Sequence, residues 1–137
     1  MSFLAIQKAV YERLKTYPAL ATVGIYDYVV QPGEPESEAF DFPYVTIGDN
    51  IHDNWDTDTE SGFDSTLSIS VWSRHKGRKE ALTIMDSIRA ALHRYELSVP
   101  GLNSIFLDCE TVAISRNDDD TYHGDMDFRY LSQEVSS

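Results

Sequence analysis

Hydrophobic and polar positions alternate most regularly between Ser65 and Leu97, and the period of the pattern changes once inside that stretch. Leu67, Ile69 and Val71 alternate with Thr66, Ser68 and Ser70, which predicts a strand with one apolar and one hydroxyl-bearing face. Such a strand belongs half-buried in an antiparallel sheet. From Ala81 onward Ala81, Leu82, Ile84, Met85, Ile88, Ala91, Leu92 and Tyr95 follow helical spacing, with Arg78, Lys79, Asp86, Arg89 and Arg94 mostly off the stripe. This predicts an amphipathic helix lying on the sheet. Gly77 would bend or cap its start, and Glu80 would sit in its first turn, where a carboxylate favours the positive end of the helix dipole. Pro100-Gly101 would stop it.

The same two periods organise the rest of the chain. Ser2 is a candidate cap for a first helix with the stripe Phe3, Ile6, Val10, Leu14 and Tyr17, ending at Pro18. Past Gly24, Ile25 to Val30 reads as a short strand rich in β-branched and aromatic residues. Residues 31–42 hold two prolines, one glycine and four acids and read as a loop. Pro43 to Gly48 predicts a strand with Val45 and Ile47 on one face. Residues 49–64 read as a second acidic loop, too polar for core and too long for a simple turn. After the second helix Ile105, Leu107 and Cys109 alternate, then the phase slips to Val112 and Ile114, which predicts a bulge near Glu110-Thr111. A turn over Asn117 to Thr121 leads into a last strand. That strand puts Tyr122, Gly124, Met126, Phe128 and Tyr130 on one face, and His123, Asp125, Asp127, Arg129 and Leu131 on the other. A frayed tail follows from Gln133. The expected fold class is α+β, a single two-layer domain over residues 1–137, with two helices packed on a mainly antiparallel sheet of four to five strands.

Composition narrows what such a domain can do. The chain has 137 residues, 42% hydrophobic and 12% aromatic, enough for one core without a second domain. Lys8, Glu12, Arg13 and Lys15 interrupt the N-terminal apolar pattern, unlike a signal peptide, and no apolar run approaches bilayer length. A soluble protein, made in a cytoplasm and without a membrane partner, is the expectation. The lone Cys109 excludes an internal disulfide and any multi-cysteine zinc site, and reads as a small buried apolar residue. The net charge of −12 is unevenly spread: residues 31–64 hold ten acids and no lysine or arginine. Arg74, Lys76, Arg78, Lys79, Arg89 and Arg94 make the second helix and its approach basic. Clustered cations of the kind that displace counterions from phosphates are few, so DNA is repelled more than gripped.

Candidate chemistry is sparse. Asp56-Thr57-Asp58-Thr59-Glu60-Ser61-Gly62 resembles the start of a calcium loop, but the sixth place holds Ser61 where glycine is needed, and the twelfth holds Leu67 where a bidentate glutamate is needed. His52, His75, His93 and His123 lack metal-ligand spacing, and there is no GxSxG, P-loop or GxGxxG. Neither an enzyme nor a bound cofactor is expected. Trp55, Phe63, Phe40 and Phe42 stand out as large apolar groups among acids, either reserved for contacts made on assembly or folded back on their own sheet.

The order of elements resembles the phage tail terminator or tail-completion family, found also in prophages and gene transfer agents. The residues that carry the likeness are Ala5 to Tyr11, the Ile25-Tyr26-Asp27 strand, Pro43 to Asp49, and the strand-turn-helix from Leu67 to Leu92 with Val71-Trp72-Ser73-Arg74 and Gly77-Arg78. It continues through Asp120 to Arg129, with Tyr122-His123-Gly124 before the last strand. The 31–42 segment departs from the pattern in its length and acidity. The resemblance implies a virion structural protein, assembled in the host cytoplasm, that forms a homo-oligomeric ring, typically a hexamer, at the head-proximal end of a tail tube. There it would end tube polymerisation and join tail to head, with the tail-tube protein and a head-completion or connector protein as partners and DNA passing through unbound. Six copies in a ring need two different patches on each subunit. Arg78, Lys79 and Arg89 are the candidates for one, and Asp53, Trp55, Asp56, Asp58 and Phe63 for the other. The alternative from composition is an acidic DNA mimic or protein-binding module.

Overall fold

The computed structural model describes residues 3–21, 23–26, 43–55, 62–74, 78–116 and 121–133. Helix α1 (Phe3–Thr16) buries Ile6, Val10 and Leu14, residues spaced so that they share one face. Pro18 cannot donate the next helical hydrogen bond, and the chain passes into a short 3-10 turn, Pro18–Leu20, that buries Leu20. Strand β1 (Gly24–Tyr26) then pairs in parallel with β2 (Tyr44–Asn54). Strand β3 (Gly62–Ser73) follows antiparallel to β2, and helix α2 (Lys79–Leu92) crosses back over the sheet. Ser73 Oγ donates to Glu80 Oε1 at 2.6 Å, tying the end of β3 to the first turn of α2.

The main sheet has five strands in the order β1-β2-β3-β7-β6, where β6 is Asp108–Arg116 and β7 is Tyr122–Gln133. Strand β3 is central and pairs with β7 without a break from Gly62↔Gln133 to Ser73↔Tyr122. Both helices lie on one face. α2 packs on β3, β7 and β6, and α1 packs against α2 and β1. Val45, Ile47, Leu67, Ile69, Val71, Met126 and Phe128 meet Met85, Ile88, Ala91 and Leu92 in one core. Each such side chain contributes about 1.5–3 kcal/mol on burial. The alternation expected for the last strand is borne out, since Gly124, Met126, Phe128 and Tyr130 are buried and Asp125, Arg129 and Leu131 exposed.

The two-layer α+β expectation holds, with a small second sheet of β4 (Glu96–Leu97) and β5 (Ile105–Phe106) added. Four local expectations need correction. Of the expected 49–64 loop, residues 49–54 are the far half of β2 and 62–64 the start of β3, with pairing resumed after a register shift between Ile47 and Asn50 and running to Asn54↔Phe63. Polar composition misled there because one face of this strand end has no helix over it. The second helix stops at Leu92 and not near Pro100. Arg94 takes a left-handed backbone (φ 59°), and its N–H donates to Leu107 O at 2.7 Å, turning the chain before the proline is reached. Leu97, Val99 and Ile105 are thereby drawn into the core as extended chain. Leu82 and Tyr95, placed on the helical stripe, are both 42% exposed. Ile105 and Phe106 pair with β4 and not within the last hairpin. The expected bulge is present, between Cys109 and Thr111. Ser2, residues 27–42 and 56–61, Gly77, the Asn117–Asp120 turn and the tail from residue 134 lie outside the described residues.

Candidate functional site

The sheet face opposite the helices is built from the positions that alternate with the core. Register between β3 and β7 sets Ser68 beside Asp127, Ser70 beside Asp125 and Trp72 beside His123. Ser68 Oγ donates to Asp127 Oδ1 at 2.7 Å, and Ser70 Oγ to Asp125 Oδ1 at 2.9 Å. One pair further along, Arg129 reaches diagonally to Asp64, with Nε donating to Oδ1 at 2.9 Å and Nη2 to Oδ2 at 2.6 Å. Those hydrogen bonds hold the Asp64 carboxyl below its ordinary value and raise Arg129 further above its own. Asp53, opposite Asp64, and Asp108, opposite Arg129, extend the same face. Its described charges are thus mostly carboxylates.

At the other end of this face the rings form a row across the strands. Tyr26 meets Tyr44 edge-on at 6.1 Å, Tyr44 lies against Trp72 at 6.2 Å, and Trp72 stacks on His123 at 4.0 Å with 7° between planes. Trp72 Nε1 donates to Thr46 Oγ1 at 3.3 Å, so the indole is anchored at its polar atom. His123 Nε2 lies 2.9 Å from Asp125 Oδ1 without hydrogen-bond geometry. The row ties β1, β2, β3 and β7 together on the side that has no helix.

The helix layer carries the opposite charge. Lys8, Arg13, Lys15, Lys79 and Arg89 lie on the helices with Arg78 at the cap, against Glu12, Glu80 and Asp86. Arg13 is fixed, donating from Nε to Ala91 O at 2.9 Å with its guanidinium 3.6 Å from the Tyr95 ring centre. Arg78, Lys79 and Arg89 are exposed, as a contact surface requires. Asp53 is exposed on the sheet side, and Trp55 is 41% exposed where its N–H donates to Gly62 O at 2.8 Å. Phe63 turns the other way, its ring 5.0 Å from that of Phe3 on α1. Asp56 and Asp58 lie outside the described residues. The described candidates therefore fall into two groups on opposite faces, and Phe63 joins neither. Asp125, Asp127, Ser68 and Ser70 were not singled out from sequence, although two matching polar alternations, 64–72 and 123–131, signal a shared face. Among the described residues no three of histidine, cysteine, aspartate or glutamate gather as metal ligands, and no helix is long and apolar enough to cross a membrane. Burial pushes the Cys109 thiol up, away from the reactive thiolate.

The model of the family described as tail completion protein gp17 matches residues 8–133, all of the sheet and both charged faces. The chain belongs to the gp17 tail completion family. Among solved structures, this tail completion protein is similar to a chain of the virion of a native gene transfer agent particle. The identity is 24%, covering 96% of this chain and 99% of that one, with a TM-score of 0.75. It is also similar to the gp17 protein of bacteriophage SPP1, at 26% identity over 97% of this chain and 90% of that one, with a TM-score of 0.59. No curated protein matches it. The resemblance read from the sequence is thus borne out, and the role is the structural one of completing a tail in a virion.

Proposed function

We propose that this tail completion protein closes the head-proximal end of a tail tube as a homo-oligomeric ring, six copies being the number the family likeness implies. It acts by contact and not by catalysis. The tail-tube protein lies on one side, a head-completion or connector protein on the other, and DNA passes through without specific binding. The observation that carries this reading is the opposition of a basic helix layer, with Arg78, Lys79 and Arg89, to an acidic sheet face that includes Asp53. Contacts between unlike patches close into a ring when the rotation per subunit divides a full turn. Opposite charge on the two patches also disfavours like-to-like pairing.

Charge reversal tests it. Arg78→Glu with Lys79→Glu removes two exposed cations and buries nothing, so the fold is expected to survive. Tubes polymerised with the variant should grow past their normal length in electron micrographs, and fewer should carry a terminal ring. Normal caps and the same ring would show that the basic layer is not a subunit contact.

A further inference from the structure

Strand β6 lies at one edge of the sheet, with β7 on its inner side and no described element on its outer side. From Thr111 to Ser115 it reads Thr-Val-Ala-Ile-Ser, without charge or proline, and every residue but Ile114 is exposed. Natural sheets guard such an edge with lysine, proline or a bulge, because its free N–H and C=O groups pair with any strand that reaches them. The bulge in β6 comes earlier, between Cys109 and Thr111, and the register with β7 is regular from there to Arg116. The open stretch is the regular one.

The side chains along this edge follow the same order from either end. About Ala113, Val112 mirrors Ile114 and Thr111 mirrors Ser115. We propose that β6 is a self-pairing surface, which takes β6 of a second copy of this chain antiparallel about a two-fold axis at Ala113. Directly opposed residues in an antiparallel pair share a face, so across the regular stretch aliphatic meets aliphatic and hydroxyl meets hydroxyl. A slip of two residues sets Ser115 or Thr111 against Ala113, and in one direction Arg116 against Val112, which disfavours the other registers. Val112, 51% exposed in the single chain, is covered by Ile114 of the second copy. The contact uses one patch twice and closes at two, unlike the ring contacts, and it covers the edge of the free protein. It does not depend on the ring reading.

Sedimentation velocity on the free protein, from about 10 μM to about 1 mM at low salt, reads the pairing directly. A concentration-dependent dimer is expected. Val112→Lys adds a charge to an exposed edge position and should raise the dissociation constant by about tenfold or more with the melting temperature unchanged. Thr111→Lys, at another exposed position of the regular stretch, should weaken the dimer likewise. A monomer throughout the range would overturn the proposal. So would a dimer indifferent to both Val112→Lys and Thr111→Lys.

Discussion

His52 sits where the far end of β2 meets the start of α1, its Nδ1 2.7 Å from Ser65 Oγ and its ring stacked on Phe3 at 4.0 Å. Burial lowers its pKa from the ordinary 6.5, so the fold holds the neutral ring. The unfolded chain takes up the proton near 6.5 and the folded one only at lower pH. This contribution to stability is therefore complete above 6.5 and is lost as the pH falls through the lowered value. Melting temperature is expected to drop between about pH 7.5 and about pH 5.5, and His52→Phe, which keeps the stacking, should flatten that drop. An equal drop in the variant would assign the acid sensitivity elsewhere. Asp64 does not account for it, since its carboxyl, held low by Arg129, loses its contribution only below 3.8. The same residues show where sequence reading stops: it left Phe63 either reserved for assembly or folded back, and the ring folds back on Phe3 and His52. Its direction follows the β3 alternation, in phase with Leu67, Ile69 and Val71, on a strand that begins at Gly62 and not at Ser65.

Two glycines measure how closely elements approach. A Cβ on Gly62 would lie 2.6 Å from Trp55 O and 3.1 Å from Ser132 O, both backbone atoms, with Trp55 held by its N–H to Gly62 O and Ser132 by its pairing with Phe63. A Cβ on Gly124 would meet Met85 Sδ at 2.5 Å and Cε at 2.9 Å, the far end of a flexible side chain. Gly62→Ala is therefore expected to cost about 1–3 kcal/mol in denaturant unfolding and Gly124→Ala distinctly less. The reverse order would mean that the core above β7 is the stiffer contact. At this scale the sequence was informative wherever one face of an element is buried and the other solvated, as in β3, β7, α1 and the middle of α2. It failed where the constraint is non-local. The left-handed turn at Arg94 is held by Leu107 and Cys109, which bond to Arg94 and His93 from fourteen or so residues away, and the pairing of β4 with β5 overrides the expected helix end. The charged faces were half legible: the basic patch on α2 was identified, while Ser68, Ser70, Asp125 and Asp127 became one surface only through the β3–β7 register.

Across the whole molecule the net charge of −12 is divided, acids on the sheet side and in residues 31–64, bases on the helix layer. In the ring reading this division has a second consequence besides subunit contact. A channel that passes DNA functions better with a wall that does not bind phosphate, because each lysine or arginine exposed there would release counterions and hold the duplex. Like charge on wall and duplex gives a repulsion that salt screens over about 10 Å at 0.1 M. The acids of residues 34–41 can be tested as a group, since Glu34, Glu36, Glu38 and Asp41 fall within eight residues of sequence and none is a subunit-contact candidate. Replacing all four with lysine is expected to leave particles that assemble and retain DNA but eject it slowly, most of all at low salt, where the added attraction is least screened. The competing account is that these acids only keep the free subunit soluble. On that account the same variant precipitates before assembly, or ejects at the normal rate once assembled, and the rate against salt concentration, measured on fully assembled particles, distinguishes the two.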